Sequence, residues 1–182
     1  MRVAGRGSCC EKGGVLGRVA DKPYSFRGVG FSSRGEKGRF VLPPIFRKAV
    51  KEASGNTRIL CLNAHDRWPC LTGFGTSRGD FIDAEVDKAE AAALASGAPF
   101  DRDLKLGQLS GFSDVPFDES GRFVFPDYLA KLAGLEGDVF FNGHGPFFAI
   151  WNPAALAKMG AGFEAMQAAC VALADESRGK RA

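Results

Sequence analysis

The sequence KGRFVLPPIF at residues 37–46 recurs as SGRFVFPDYL at residues 120–129, a constant offset of 83 positions. Both copies read Gly-Arg-Phe-Val and then place a proline two positions after the valine. A looser match follows, because RILCLNAH (58–65) resembles DVFFNGHG (138–145). Self-similarity at a fixed offset indicates a duplicated structural unit, so we predict two copies of one unit of roughly 50 residues.

Each copy shows the same order of predicted elements. A turn centred on Gly38 or Gly121 precedes a short strand, which ends at Pro43 or Pro126 because proline cannot donate to a strand ladder. A helix and then two strands separated by a polar turn complete the copy. The predicted ranges are strands at 39–42, 58–62 and 69–74 with a helix at 44–53, and strands at 122–125, 138–142 and 147–151 with a helix at 127–134.

The repeat also predicts how the copies combine. Strand–turn–strand units of this size bury little apolar surface alone. Two copies can pair their strands around a pseudo-two-fold axis and close a small barrel, with turns and helices outside. The predicted fold class is therefore mainly β with short helices, a barrel built from two pseudo-symmetric repeats.

The remaining segments flank or join the copies. Residues 1–22 are Gly-rich and basic without apolar periodicity, which predicts a disordered extension. Helices are predicted at 81–96, ending at Gly97, and at 154–174, followed by a polar tail over the last eight residues. The predicted domains are the disordered extension (1–22), a first repeat (23–83), a helical connector (84–113), a second repeat (114–153) and a C-terminal helix and tail (154–182).

The composition of the 182-residue chain is that of a soluble globular protein. Hydrophobic residues make up 45% and charged residues 25%, which excludes disordered, collagen-like and coiled-coil chains. The five cysteines are odd in number and form no CxxC pair, a pattern typical of a reduced, cytoplasmic protein. No apolar run approaches the roughly 18 residues that cross a bilayer, so no membrane partner is predicted.

Charge is distributed unevenly along the chain, although the net charge is only +3. Residues 23–83 carry 10 basic and 5 acidic side chains, whereas residues 114–153 carry 2 and 6. A basic first copy beside an acidic second copy indicates either a polyanionic partner or self-association between unlike faces.

The basic residues of the first copy concentrate around the Gly38 turn. Lysine and arginine in a turn can enter a nucleic-acid groove, where both bind phosphates and arginine also reads guanine edges. A solvated basic face on an ordinary domain remains the alternative at this point. The predicted DNA contacts are Arg34, Lys37 and Arg39, with Arg27, Arg47 and Lys48 as phosphate anchors and Arg122 as a further contact from the second copy.

EKGRFVLPPIFR (36–47) and DESGRFVFPDYL (118–129) resemble the doubled DxxGRxxxP motif of the MraZ family, which is related to AbrB-type DNA-binding domains. The resemblance covers roughly residues 24–156. Because chains of the family typically begin just before the position of Tyr24, it implies that residues 1–18 lie upstream of the natural start or are dispensable. It implies a double-split β-barrel, in which both repeats are AbrB-like, and a ring-shaped homo-oligomer. It further implies a cytoplasmic, nucleoid-associated transcriptional regulator, usually a repressor. Such a regulator binds short tandem repeats in double-stranded DNA upstream of its own division and cell-wall operon.

The motif is intact in only one copy. Asp118 and Arg122 occupy the family's aspartate and arginine positions, and we expect the aspartate to orient the guanidinium by a bidentate contact. In the first copy Gly35 stands at the aspartate position, which predicts a freer Arg39, suited to phosphate or to weaker specificity. The residues with a structural role in the motif are Gly38, Pro43, Asp118, Gly121 and Pro126.

Other chemistries have weaker support. Cys61, His65 and Cys70 lie close together, but their spacing is not that of a standard zinc site. No P-loop or dinucleotide fingerprint occurs, so we predict no enzyme, no cofactor and no metal site. Arg78-Gly79-Asp80 is interpreted as a chance motif in a charged loop. The alternative function is an oligomeric, antitoxin-like or adaptor-like protein-binding module of the same fold.

Overall fold

The computed structural model describes residues 24–179, so the predicted extension at 1–22 lies outside the described residues. The described chain forms eight strands and six α-helices, with 3-10 turns at Glu36–Gly38 and Thr76–Phe81. In chain order the elements are β1 (Val29–Ser32), β2 (Phe40–Val41), α1 (Pro44–Ala53), β3 (Ile59–Ala64), β4 (Leu71–Phe74), α2 (Ile82–Ser96), α3 (Arg102–Ser110), β5 (Ser113–Pro116), β6 (Arg122–Phe123), α4 (Asp127–Leu132), β7 (Val139–Gly143), β8 (Phe148–Trp151), α5 (Pro153–Leu156) and α6 (Glu164–Gly179).

Six strands form one antiparallel sheet in the order β1-β7-β8-β4-β3-β5, and β2 pairs with β6 in a separate two-stranded ribbon. The duplication relates β3 to β7, β4 to β8 and β1 to β5, whose first residues are 80, 77 and 84 positions apart. The strand order is therefore symmetric about the β4–β8 pair. Strands of the two copies interleave, so neither copy completes the sheet without the other.

A phenylalanine-rich core fills the space between the sheet, the ribbon and the helices. Phe148 contacts the rings of Phe46 and Phe26, at centroid separations of 4.7 and 5.3 Å. Phe40 and Phe123 from the ribbon each pack edge-on against Phe125. Edge-to-face packing of this kind stabilises aromatic cores beyond the burial of apolar area.

A second apolar cluster attaches the C-terminal helices to the outer face of the sheet. Trp151 is fully buried in it, and Phe163 packs edge-on against both Trp151 and Trp68. The prediction of one helix over 154–174 is wrong, because the chain breaks between α5 and α6 where Gly162 adopts a left-handed φ of 95°. Helix α6 continues to Gly179, beyond the helix end predicted at 174.

The motif elements lie close to their predicted positions. The helix predicted at 44–53 is α1, and the predicted strand pairs correspond to β3, β4, β7 and β8. The helix predicted at 127–134 is shorter and ends at Leu132. Within residues 24–179, no helix combines the length and the apolar character needed to cross a membrane.

Candidate nucleic-acid interface

The two copies of the motif meet directly in the ribbon. Phe40 pairs with Phe123 and Val41 pairs with Arg122, and the N–H of Leu42 donates to the carbonyl of Gly121 at 2.8 Å. Because successive side chains of a strand point to opposite faces, this register sorts the motif into an inner and an outer set. Phe40, Leu42, Phe123 and Phe125 form the inner set, and all four are buried.

The outer set presents two arginines and two valines. Arg39, Val41, Arg122 and Val124 are all exposed, with the two valines 43% and 49% accessible. Extending the register by one residue places Arg39 opposite Val124, as Arg122 is opposite Val41. The arginines therefore lie on a diagonal of the ribbon and are related by the same pseudo-symmetry as the strands.

The turn before β2 is held by the backbone. The N–H of Gly35 donates to the carbonyl of Arg39 at 2.8 Å, and Lys37 and Gly38 both adopt left-handed φ values, 57° and 70°. Glycine adopts this conformation without strain, which accounts for Gly38. The Arg34 guanidinium lies against Gly38, and its Nη1 donates to the carbonyl of Glu136 at 3.1 Å. Arg34 therefore connects the first turn to the second copy.

The turn before β6 uses the aspartate that the first turn lacks. Asp118 Oδ1 accepts the backbone N–H of Arg122 at 2.9 Å, as short side chains do in tight turns. The guanidinium of Arg122 comes no nearer than 3.9 Å, between Nη1 and Oδ2. The prediction of a bidentate contact is therefore wrong, because the carboxylate is occupied by the turn's own backbone.

Asp118 nevertheless influences both arginines. The N–H of Arg122 is the main reason that the pKa of Asp118 lies below its ordinary value, and the charges of Arg122 and Arg39 lower this pKa further. Arg39 therefore lies within the electrostatic field of the second copy's aspartate. Within the described residues Arg39 forms no salt bridge, which agrees with the freer arginine that Gly35 predicts, and Asp118 of the other copy acts on it only through its charge.

Two grooves flank the ribbon, each formed between the helix of one copy and the turn of the other. The α1 groove, of about 410 Å³, runs beside the second turn, and Arg47 Nη1 donates across it to the carbonyl of Glu119 at 3.2 Å. The α4 groove, of about 470 Å³, runs beside the first turn. Four cations and two carboxylates line the α1 groove, namely Arg47, Lys48, Lys51, Arg58, Asp118 and Glu119. Three cations and two carboxylates line the α4 groove, namely Arg34, Lys37, Lys131, Asp127 and Glu136.

The structure groups most of the predicted contact residues and separates one of them. Lys37 and Arg34 lie at one end of the ribbon, and Arg47 and Lys48 line the α1 groove at its other side. Arg27 precedes β1, and its backbone lies against Gly143 of β7, whereas Arg34 follows β1. An extended strand rises about 3.3 Å per residue, so Arg27 lies at the opposite end of β1 from the Gly38 turn.

Arg58 and the two exposed valines of this surface were not among the residues predicted from the sequence. Arg58 lines the α1 groove and pairs with Glu119 at 3.0 Å, although it lies outside the motif. Val41 and Val124 form the apolar part of the outer face. The alternation of side chains along each motif strand could have predicted that the valines are exposed beside the arginines. The position of Arg58 could not be predicted in this way, because it depends on a contact with Glu119 of the second copy.

Asp118→Asn is expected to lower the stability slightly at neutral pH and not at acid pH. Hydrogen bonds from backbone N–H groups lower the pKa of the carboxyl in the folded state. The ionised carboxylate therefore stabilises the folded state at pH values above the pKa of aspartate in the unfolded chain, about 3.9. This contribution is lost as the pH falls through the lower pKa of Asp118 in the folded state. Unfolding of both proteins by denaturant, followed from about pH 2 to 6, measures the difference, which should shrink on acidification. A difference that does not change with pH would contradict the role assigned to the charge.

Comparison with known proteins identifies the class of this chain. It is 37% identical over 136 residues to the transcriptional regulator MraZ of Parvibaculum lavamentivorans, covering 73% of this chain and 79% of the relative. It is 30% identical over 136 residues to the MraZ of Ruegeria pomeroyi, covering 71% and 78%, and 28% identical over 127 residues to that of Solidesulfovibrio magneticus, covering 70% and 79%. No protein-family model matches the chain.

These relatives are all named transcriptional regulators, and the chain falls in that class rather than among enzymes. The chain belongs to the MraZ family. The resemblance inferred from the doubled motif is thereby confirmed, as is the prediction that the protein is not an enzyme.

Proposed function

We propose that this protein is a sequence-specific DNA-binding regulator that reads DNA with the outer face of the β2–β6 ribbon. The observation that carries the proposal is the exposed diagonal pair Arg39 and Arg122 on a ribbon whose other face is buried. A two-stranded antiparallel ribbon fits the major groove of B-DNA, and arginine there makes bidentate contacts to guanine. The valines between the arginines suit the 5-methyl group of thymine.

The flanking grooves supply the phosphate contacts in this proposal. Arg47 and Lys48 project from α1 beside the ribbon, and Lys51 and Arg58 extend the same cationic surface. Arg34 and Lys37 occupy the corresponding place at the first turn. Contacts of this kind fix the register of the protein on the duplex and make binding depend on salt. Arg27, at the far end of β1, reaches DNA only if the duplex extends beyond the ribbon.

The family suggests the wider arrangement. We infer a double-split barrel formed by the AbrB-like repeats at 23–83 and 114–153, with 84–113 as a helical connector. We further infer ring-shaped homo-oligomers that bind short tandem repeats upstream of the protein's own division and cell-wall operon, acting as a repressor on the nucleoid in the cytoplasm. Several weak contacts made at once by one ring raise the overall affinity far above that of a single protomer.

The test is a binding titration with DNA from upstream of the protein's own reading frame, beside random DNA of equal length and a mass measurement in solution. Specific binding that weakens steeply as salt rises is expected, because each neutralised phosphate adds about −0.9 to the slope of log K against log salt. Binding no tighter than to random DNA at low salt would instead favour the oligomeric protein-binding module.

Lys37→Ala is expected to reduce this salt slope by about one and to weaken binding to all sequences alike, because Lys37 is assigned to a phosphate. The exposed Lys88 on α2 provides the matched control, since it lines neither groove beside the ribbon. Lys88→Ala should leave the slope unchanged. Equal slopes for wild-type protein and Lys37→Ala would remove Lys37 from the interface.

A further inference from the structure

A polar cavity of about 180 Å³ lies where the connector helices α2 and α3 pack against β3 and the β3–β4 turn. None of its lining residues lines either groove beside the ribbon. The cavity therefore belongs to no part of the proposed DNA surface. Its walls include a buried arginine, a buried histidine and the ring of Phe147.

Arg78 lines this cavity. Only 6% of the residue is exposed, and its guanidinium lies over the rings of Phe74 and Phe147, 4.7 and 5.2 Å from their centroids. Nη2 donates to both carboxylate oxygens of Glu85, at 3.1 and 2.9 Å. The buried Nε has no hydrogen-bond partner. A buried donor on a charged group is costly to leave unpaired, so this N–H is a strong donor without an acceptor.

His65 adds a second donor. Its Nδ1 accepts the backbone N–H groups of Arg67 and Trp68, at 3.1 and 3.3 Å, and lies 3.2 Å from Asp66 Oδ1. Because two N–H groups donate to Nδ1, we assign the ring proton of the neutral form to Nε2. Burial holds the pKa of His65 below its ordinary value, which favours this neutral form. Within residues 24–179, Nε2 has no hydrogen-bond partner. Both His65 and Arg78 contact Phe147, so the two donors border the same ring.

The charges around the cavity favour an anion. Arg67, Arg78 and Lys105 line it, against the carboxylates of Asp66 and Glu85. Both carboxylates are already paired, Asp66 with Lys105 and Glu85 with Arg78. The third cation, Arg67, has a 74% exposed side chain whose Nε lies 3.8 Å from Asp66, so it contributes its charge from the rim of the cavity. Within the described residues, the groups of the cavity that are left without partners are donors. Donors of this kind bind an oxygen acceptor, and a charged acceptor forms the shorter and stronger bond.

We propose that this cavity binds a small oxyanion, a carboxylate or a phosphate, through Arg78 Nε and His65 Nε2 with Lys105 at its edge. The ring of Phe147, which meets the imidazole of His65 edge-on, provides an apolar surface for the body of an organic acid. Because the walls come from α2, α3 and β3, the bound ion joins the connector helices to the sheet. Binding to the folded state alone raises the unfolding temperature by mass action.

The experiment titrates the full-length protein with sodium acetate, sodium benzoate and sodium phosphate, each against sodium chloride at matched ionic strength. Calorimetry gives the affinity, and the NMR signals of the arginine Nε–H groups report the site, with Arg78→Lys assigning the Arg78 signal. One of the three probes is expected to shift that signal and to raise the unfolding temperature. The benzoate and acetate arms against the phosphate arm decide whether the ligand is a carboxylate or a phosphate.

Variants separate this site from general anion binding. Arg78→Lys keeps the charge but removes the Nε donor, and it is expected to weaken the affinity about tenfold to a hundredfold. Lys105→Met at the edge of the cavity gives a second reading if Arg78→Lys fails to fold, and Lys88→Ala on the outside of α2 is the control. A response no larger than that to chloride in wild-type protein, or one that persists in both cavity variants, would overturn the proposal.

Discussion

Replacing Arg39 and Arg122 together by alanine is expected to abolish sequence-specific DNA binding while leaving the fold intact. Both side chains are exposed on the outer face of the ribbon, so their loss opens no cavity. A bidentate arginine–guanine pair discriminates by about 1–3 kcal/mol, so each arginine accounts for about tenfold to a hundredfold in specificity. An assembly that binds several DNA boxes at once would multiply the loss.

The single variants test the pseudo-symmetry of the ribbon. Arg39 and Arg122 occupy equivalent positions, and both lie in the field of Asp118, so Arg39→Ala and Arg122→Ala should each weaken specific binding. Arg178→Ala on α6 is the control, because Arg178 is exposed and, among residues 24–179, pairs only with its neighbour Asp175. Binding is measured by fluorescence anisotropy on specific and random duplexes, with circular dichroism to check the fold. A double variant that still prefers the specific duplex would refute the assignment of the ribbon as the reading surface.

The repeat made much of this architecture predictable. A motif whose glycine, arginine, phenylalanine and proline recur at one offset requires two similar folded units, and the order of elements within them followed from turn and helix signals. Helix α1 begins at Pro44, as a proline in the first helical turn favours, and it ends at Ala53 as predicted. These features depend on local chemistry, which a single sequence expresses directly.

Features that depend on contacts between the copies were not predictable in the same way. Strand β1 carries Gly30, whose Cα packs against Pro43, and β5 carries Pro116, so neither shows the alternating pattern that marks a strand. Arg78 looked like part of a charged loop, yet it is buried because Phe74, Phe147 and Glu85 converge on it from three elements. The electrostatic role of Asp118 was unpredictable for the same reason. Its backbone partner Arg122 lies in its own turn, whereas Arg39, the second arginine that lowers its pKa, belongs to the first copy.

Phe148→Ala is expected to be the most destabilising single substitution considered for this protein. Phe148 is fully buried in the middle strand pair of the sheet, and its ring contacts Phe26, Phe46 and Phe141. Removal of a buried phenylalanine side chain costs about 3–5 kcal/mol, which combines the lost burial with the cavity left behind. Domains of this size are stable by only about 5–15 kcal/mol, so the variant should be close to unfolding.

The surroundings of Phe148 place this loss near the upper end of that range. Its two cross-strand partners are Gly73 on β4 and Gly143 on β7, and a Cβ at Gly73 would collide with the Phe148 ring. Glycine partners have no side chain that can move into the vacated space, so the cavity cannot close by repacking from the sheet. Denaturant unfolding at fixed protein concentration measures the loss, with Leu94→Ala as control because Leu94 is 74% exposed on α2. Surface substitutions usually change the free energy of unfolding by less than about 1 kcal/mol. A decrease no larger than this for Phe148→Ala would show that Phe148 does not join the two copies into one core.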